Sequence, residues 1–171
     1  MLIVGAGASG RGHVGQLAFE SGWRLAFVDT DRALVDALRA AGRYEVRLVG
    51  DGERTVTVDG FTVFRPDDEG LQRVFDEAAV VCTAVRPENL AAAADELRPL
   101  FARWLERTGG TSPKNVLCCE NMNRGTTEFR HHLGQGFPPR LLPALEAAVG
   151  FPDTMIARVV ATPVDPLRLL G

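Results

Sequence analysis

Lysine is almost missing from this chain: Lys114 is the only one, and the other 18 of its 19 basic residues are arginines. A surplus of positive charge is missing too. The formal net charge of −3 gives no reason to expect nucleic acid or an anionic membrane surface as a partner. No apolar run approaches the roughly 20 residues that span a bilayer. The N-terminal apolar run is short, has no basic flank and breaks at once into glycines, so no secretory leader is expected. Cysteine is scarce, at Cys82, Cys118 and Cys119. An odd number, with two of them adjacent and no CxxC pair, argues against a disulfide framework or a zinc site. All three lie in apolar stretches and read as buried, reduced thiols, which points to a cytoplasmic setting. Of three histidines, His131 and His132 are adjacent and read as solvated helix residues; with His13 they offer no metal-ligand spacing.

What is present is the composition of one globular domain, 1–171, with 46% apolar and 24% charged residues. Met1–Val4 predicts a buried strand. Val14, Leu17 and Ala18 recur at helical spacing between Ser9 and Ser21, and Gly22 stops that helix. Leu25–Val28 predicts a second strand ending at Asp29. Asp31 suits the N-cap of a helix that Gly42 terminates. Tyr44–Val49, Arg54–Val58 and Phe61–Phe64 alternate apolar and polar residues around Gly50, Gly52 and Gly60, which predicts a small antiparallel excursion. Helices are then expected over Asp67–Glu77, Pro87–Arg107 with a kink or split at Pro99, Asn123–Leu133 and Leu141–Val149. Strands are expected at Ala79–Thr83, Asn115–Cys119 and Met155–Val160. Such alternation implies an α/β fold with a doubly wound, mostly parallel sheet, and ligands bind beyond the carboxyl ends of its strands. That rule alone selects Gly5–Gly10, Asp29, Thr83–Arg86 and Glu120–Arg124.

The first of these is Gly5-Ala6-Gly7-Ala8-Ser9-Gly10, a GxGxxG turn between a strand and a helix. Gly5 makes the tight turn, Gly7 admits a pyrophosphate to the backbone, and Gly10 lets helix and strand pack closely. The helix start at Ala8 and Ser9 offers free N–H groups to phosphate, with His13 covering the dinucleotide. Asp29 ends the next strand 22 residues beyond Gly7, near the spacing of about 20 for an acid that binds the adenosine ribose. A carboxylate there repels a 2′-phosphate, so a Rossmann-type site for NAD rather than NADP is expected; Arg32 is a cation that could answer a 2′-phosphate but reads as an exposed helix residue. Thr83-Ala84-Val85 should run beneath the cofactor.

A second concentration of polar groups follows the strand at Asn115. Glu120, Asn121, Asn123 and Arg124 deliver a carboxylate, two amides and a guanidinium to the ligand edge. Asn121 suits a substrate oxygen on which charge develops, and Arg124 suits a phosphate. The plainer alternative makes Asn121 or Asn123 the N-cap of the next helix and Glu120 a partner of its dipole.

Taken together, Gly5-Ala6-Gly7 with Gly10-Arg11-Gly12, Asp29, Tyr44-Glu45-Val46, Thr83-Ala84-Val85, Cys119-Glu120-Asn121-Met122 with Arg124-Gly125-Thr126-Thr127, and Val149-Gly150-Phe151 resemble the N-terminal domain of mannitol-1-phosphate 5-dehydrogenase, within the polyol-specific long-chain dehydrogenases. The resemblance implies NAD-dependent oxidation of a polyol phosphate to a sugar phosphate, with Asn121 polarising the carbonyl oxygen. The family's proton-transfer lysine stands in a Lys-x4-Asn-x2-His pattern of a helical C-terminal domain, and that pattern does not occur here. The expectation is therefore one domain that holds NAD, without its catalytic partner domain and inactive by itself. A two-domain dehydrogenase of hydroxy acids, uronates or hydroxyacyl substrates, and a non-catalytic NAD-sensing module, are the alternatives.

Overall fold

The computed structural model describes residues 1–50, 52–154, 156, 160–161 and 165–170. Strand β1 (Leu2–Val4) leads through the glycine turn into a π-helical stretch, Gly10–Gly15, that continues as α1 (Gln16–Glu20). Then come β2 (Ala26–Val28), α2 (Arg32–Ala41), β3 (Arg43–Leu48), β4 (Arg54–Asp59) and β5 (Thr62–Phe64). The second half supplies α3 (Leu71–Glu77), β6 (Val80–Thr83), α4 (Leu90–Thr108), β7 (Lys114–Cys118), α5 (Gly125–Gly134), α6 (Leu142–Ala148) and β8 (Val149–Gly150). A last strand, β9 (Arg168–Leu170), returns to the first half.

The main sheet is parallel throughout, in the order β5-β2-β1-β6-β7-β8. That is a doubly wound Rossmann arrangement, with β1 at its centre. Strand alternation divides the core in two. Leu2, Val4, Val28, Val81 and Val116 face the layer of α3 to α6, where Phe75, Phe101 and Trp104 are wholly buried. Ile3, Phe27 and Cys82 face the other layer, with Val35 and Leu38 of α2 and Tyr44 and Val46 of β3. The period of two seen in the sequence thus sorts the side chains between the layers. All three cysteines are buried and free.

Several local expectations hold in detail. The Asp31 carboxylate accepts the Leu34 N–H at 3.1 Å, and Gly42 closes α2 with a left-handed φ of 63°. Others need correction. Only β3 and β4 form the antiparallel excursion; β5 leaves it and lies parallel to β2. The Phe61 ring stacks edge-on against Phe27 and packs against Tyr44, at centroid distances of 5.6 and 5.4 Å, and so carries the chain back to the main sheet. Helix α4 is not split at Pro99. That residue faces solvent while Leu97, Phe101 and Trp104 anchor both flanking turns, so packing outweighs one lost hydrogen bond. The short strand after α6 is β8; the strand expected at Met155–Val160 falls mostly outside the described residues. Strand β9 pairs in parallel with β3 and buries Leu169, so this leucine packs inside the domain. No helix among the described residues is long and apolar enough to cross a membrane.

Candidate functional site

The ends of β1, β2 and β6 are stitched together just past their last residues. Gly5 N–H donates to Val28 O at 2.8 Å and Ala84 N–H to Val4 O at 2.7 Å. Gly5 has φ +95°, and a Cβ on it would lie 2.6 Å from Ala84 O. Only glycine satisfies both the turn and the approach of the Ala84 strip. A Cβ on Gly10 would meet Gly5 O at 1.9 Å, so the helix rests directly on the turn that precedes it. Gly7 is different, because nothing lies within 4 Å of where its Cβ would be. Its bare backbone opens on a cleft, beside the helix start at Ala8 and the exposed Ser9.

The cleft encloses about 350 Å³ at the carboxyl edge of the sheet. Gly5, Gly7, Asp29, Ala84 and Val85 of the expected residues line it. Gly10 and Thr83 are buried beneath it and shape it without reaching it. Asp29 Oδ2 accepts the Ala6 N–H at 2.6 Å and Oδ1 accepts the Asp31 N–H at 2.9 Å. Each oxygen retains a second lone pair, so the carboxylate is locked in place yet still able to accept from a ligand. A dinucleotide fits this arrangement: a glycine face without side chains for the diphosphate and a fixed acceptor one strand away for a ribose.

Glu120, just beyond β7, is buried at 3% exposure. Its carboxyl accepts Thr83 Oγ1–H at 2.9 Å and Val85 N–H at 3.0 Å, tying the β6 and β7 ends into one ledge. Burial pushes its pKa up, against the pull of these hydrogen bonds. It is therefore no dipole partner for α5. Neither asparagine caps that helix: Arg124 holds the N-cap position in a left-handed conformation (φ 55°, ψ 37°), with no side-chain cap bond. Asp153 serves the helix start from outside, accepting Thr127 N–H at 2.9 Å and Thr127 Oγ1–H at 2.7 Å. The Thr127 hydroxyl is the main reason that the Asp153 carboxyl stays below its ordinary range. Asn121 and Arg124 are exposed on this loop, with Arg124 Nε 4.0 Å from Asp153.

Sequence reading missed two features. Arg11 is 2% exposed; its guanidinium donates to Ala6 O and Pro166 O and lies 5.5 Å from the centre of the Tyr44 ring. An arginine in a glycine-rich helix start gives no sign of such burial. The other feature is the far wall of the cleft, formed by Asn89, Ala92, Ala93 and Glu96 along one face of α4 and the turn before it. Their spacing of i, i+3, i+4, i+7 was the available signal. Lys114 is the first residue of β7 rather than preceding it, at the edge opposite the cleft, where its Nζ donates to Asp76 O and Ala78 O.

A family model described as the mannitol dehydrogenase Rossmann domain matches residues 1–167. Among solved structures, apo yersinopine dehydrogenase superposes with a TM-score of 0.68 at 13% identity, over 99% of this chain and 37% of that one. Octopine dehydrogenase with NADH and L-arginine gives 0.65 at 12%, over 99% and 38%. The ketopantoate reductase of Ralstonia eutropha JMP134 gives 0.60 at 16%, over 99% and 46%. These likenesses establish the fold, and the chain spans less than half the length of each of these proteins. A Rossmann dehydrogenase domain of this family binds NAD(H). The glycine turn, the order of the sheet and the match over residues 1–167 lead to one assignment: the chain belongs to the mannitol dehydrogenase family, as its Rossmann domain.

Proposed function

We propose that this chain is the cofactor domain of a polyol-phosphate dehydrogenase, interconverting mannitol 1-phosphate and fructose 6-phosphate with NAD and NADH. The observation that carries the reading is the placement of Glu120-Asn121-Met122-Asn123-Arg124-Gly125-Thr126 immediately beyond β7, with Glu120 bonded to the ledge that passes the glycine turn. Backbone N–H groups at Gly7, Ala8 and Ser9 hold the diphosphate, Asp29 accepts from the adenosine ribose, and the Ala84–Val85 strip backs the cofactor. When bound, NAD supplies the hydride acceptor. The Asn121 amide donates to the substrate oxygen that becomes a carbonyl, and the Arg124 guanidinium pairs with the substrate phosphate. Alcohol oxidation also needs a proton acceptor. With no Lys-x4-Asn-x2-His pattern in this sequence, that group comes from a further domain.

One observation favours a second reading. Asp153 already places a carboxylate beside Arg124, where a substrate phosphate would have to stand. A substrate without phosphate, such as a free polyol or a hydroxy acid, avoids that conflict. The experiment follows NADH formation from mannitol 1-phosphate, mannitol and a panel of hydroxy acids, with this chain and with any longer polypeptide containing it. The proposal expects NADH binding without turnover by the chain, and turnover of mannitol 1-phosphate by the longer form. Activity confined to non-phosphorylated substrates overturns the phosphate role of Arg124.

A further inference from the structure

The cleft has a second acid that the glycine motif does not explain. Glu96 stands at one end of the α4 face that forms the far wall, and Asp29 stands on the near wall at the end of β2. Ala92 and Ala93 lie between Asn89 and Glu96, so the wall there is low and flat, a surface suited to a planar base. From Asn89 to Glu96 the helix rises about 10 Å, enough to carry the groove well past a ribose held at Asp29. Helical side chains lean toward the helix N-terminus, so Glu96 leans toward the Asn89 end of this wall. Glu96 engages none of the three arginines on its own helix: Arg98 pairs with Asp95, Arg103 donates to Gln72 Oε1, and Arg107 pairs with Asp76. Among the described residues the one cation lining the cleft, Arg86, precedes Asn89 and stands at the other end of the wall, 4.0 Å from Glu88.

We propose that Glu96 is a specificity-determining residue, which together with Asp29 makes the adenosine end of the cleft doubly negative and rejects a ribose 2′-phosphate. The inference rests on the cofactor reading of the cleft and extends it to the choice between NAD and NADP. The Glu96 carboxyl is itself pushed upward, first by partial burial and then by the charge of Asp29, as two acids facing one space require. A 2′-phosphate adds up to two negative charges to the space that both acids line, and each carboxylate repels it.

The test titrates the protein with NADH and NADPH by calorimetry and compares the ratio of the two dissociation constants. Glu96→Gln should lower the preference for NADH about tenfold, as expected for removing one like charge at close range. Glu96→Asp, which keeps the charge, should hold most of the preference. Glu77→Gln removes an equal charge from the opposite edge of the sheet and should leave the ratio alone. Thermal melting of each variant checks that it is folded. An unchanged ratio in Glu96→Gln, or an equal change in Glu77→Gln, overturns the role of Glu96 while leaving the cofactor site intact. Failure of the unmodified protein to bind NADH overturns the cofactor reading itself, and this inference with it.

Discussion

Asp29 Oδ2 takes the Ala6 N–H at 2.6 Å, so the acid that ends β2 and the glycine turn that follows β1 form one rigid unit. Removing the carboxylate releases the turn as well as the proposed ribose acceptor. Asp29→Ala should weaken NADH binding by about 1–3 kcal/mol, the range for a lost hydrogen bond that leaves a donor unsatisfied. The NADH-induced rise in melting temperature should shrink accordingly. An undiminished rise would remove the ribose assignment.

Gly7 and Gly10 should separate binding from folding. Open space surrounds the position of a Gly7 Cβ, so Gly7→Ala should shift stability by no more than about 0.5 kcal/mol. Its methyl group would nonetheless stand at the proposed diphosphate site, and NADH affinity should fall at least about tenfold. Gly10→Ala puts a methyl 1.9 Å from Gly5 O and should destabilise the domain outright. Denaturation and NADH titration of both variants test the pair. A Gly7→Ala protein that binds NADH normally would place the diphosphate elsewhere.

These elements were legible because their signals are local. Gly5 and Asp29 each follow a short apolar strand, and strand ends in a parallel sheet share one edge. Partner choice and facing were not local. Whether β5 joined β4 or β2 depended on where the Phe61 ring found neighbours, Phe27 and Tyr44, which are distant in sequence. The polar run after β7 suggested an asparagine cap, yet Asp153 serves that helix across 26 residues. Likewise the spacing of Asn89, Ala92, Ala93 and Glu96 marks one face of a helix without saying whether it meets a core, a ligand or water.

Glu120 should tolerate loss of its charge better than loss of its shape. Gln can accept from Val85 N–H and donate to Thr83 Oγ1, whereas Ala leaves both groups buried and unpaired, at a cost of about 1–3 kcal/mol. The folded-state pKa is raised, so the native protein binds more protons than the unfolded chain above the ordinary glutamate range. The stability this group contributes is present at acid pH and is lost as pH rises through the folded pKa. Glu120→Gln should therefore match or exceed the unmodified protein in stability at pH 7, measured by urea denaturation. A loss as large as that of Glu120→Ala would show that the ledge requires the carboxylate.

Lys114 carries a linkage of opposite sign. Burial lowers its pKa to about 8, despite the favourable Asp76 charge and the Trp104 ring 4.7 Å from its Nζ. Between that value and the ordinary 10.5, the unfolded chain binds a proton that the native protein lacks, so this group's contribution to stability rises with pH. Lys114→Met leaves Asp76 O and Ala78 O without their donor and should cost about 1–3 kcal/mol at high pH. The stability gap between Lys114→Met and the unmodified protein should widen by on the order of 2 kcal/mol from pH 7.5 to pH 10. A gap independent of pH would mean that the buried amine stays charged throughout.

Arg11 bonds Ala6 O and Pro166 O at once, across 155 residues of sequence in the second case, while β9 lies in register along β3. During synthesis the glycine loop leaves the ribosome ahead of this brace, which forms only once residue 166 has emerged. The glycine turn is thus made well ahead of the carbonyl that braces its neighbouring arginine, 155 residues further along. A nascent chain stalled before that segment should hold its glycine loop more loosely than one that includes it.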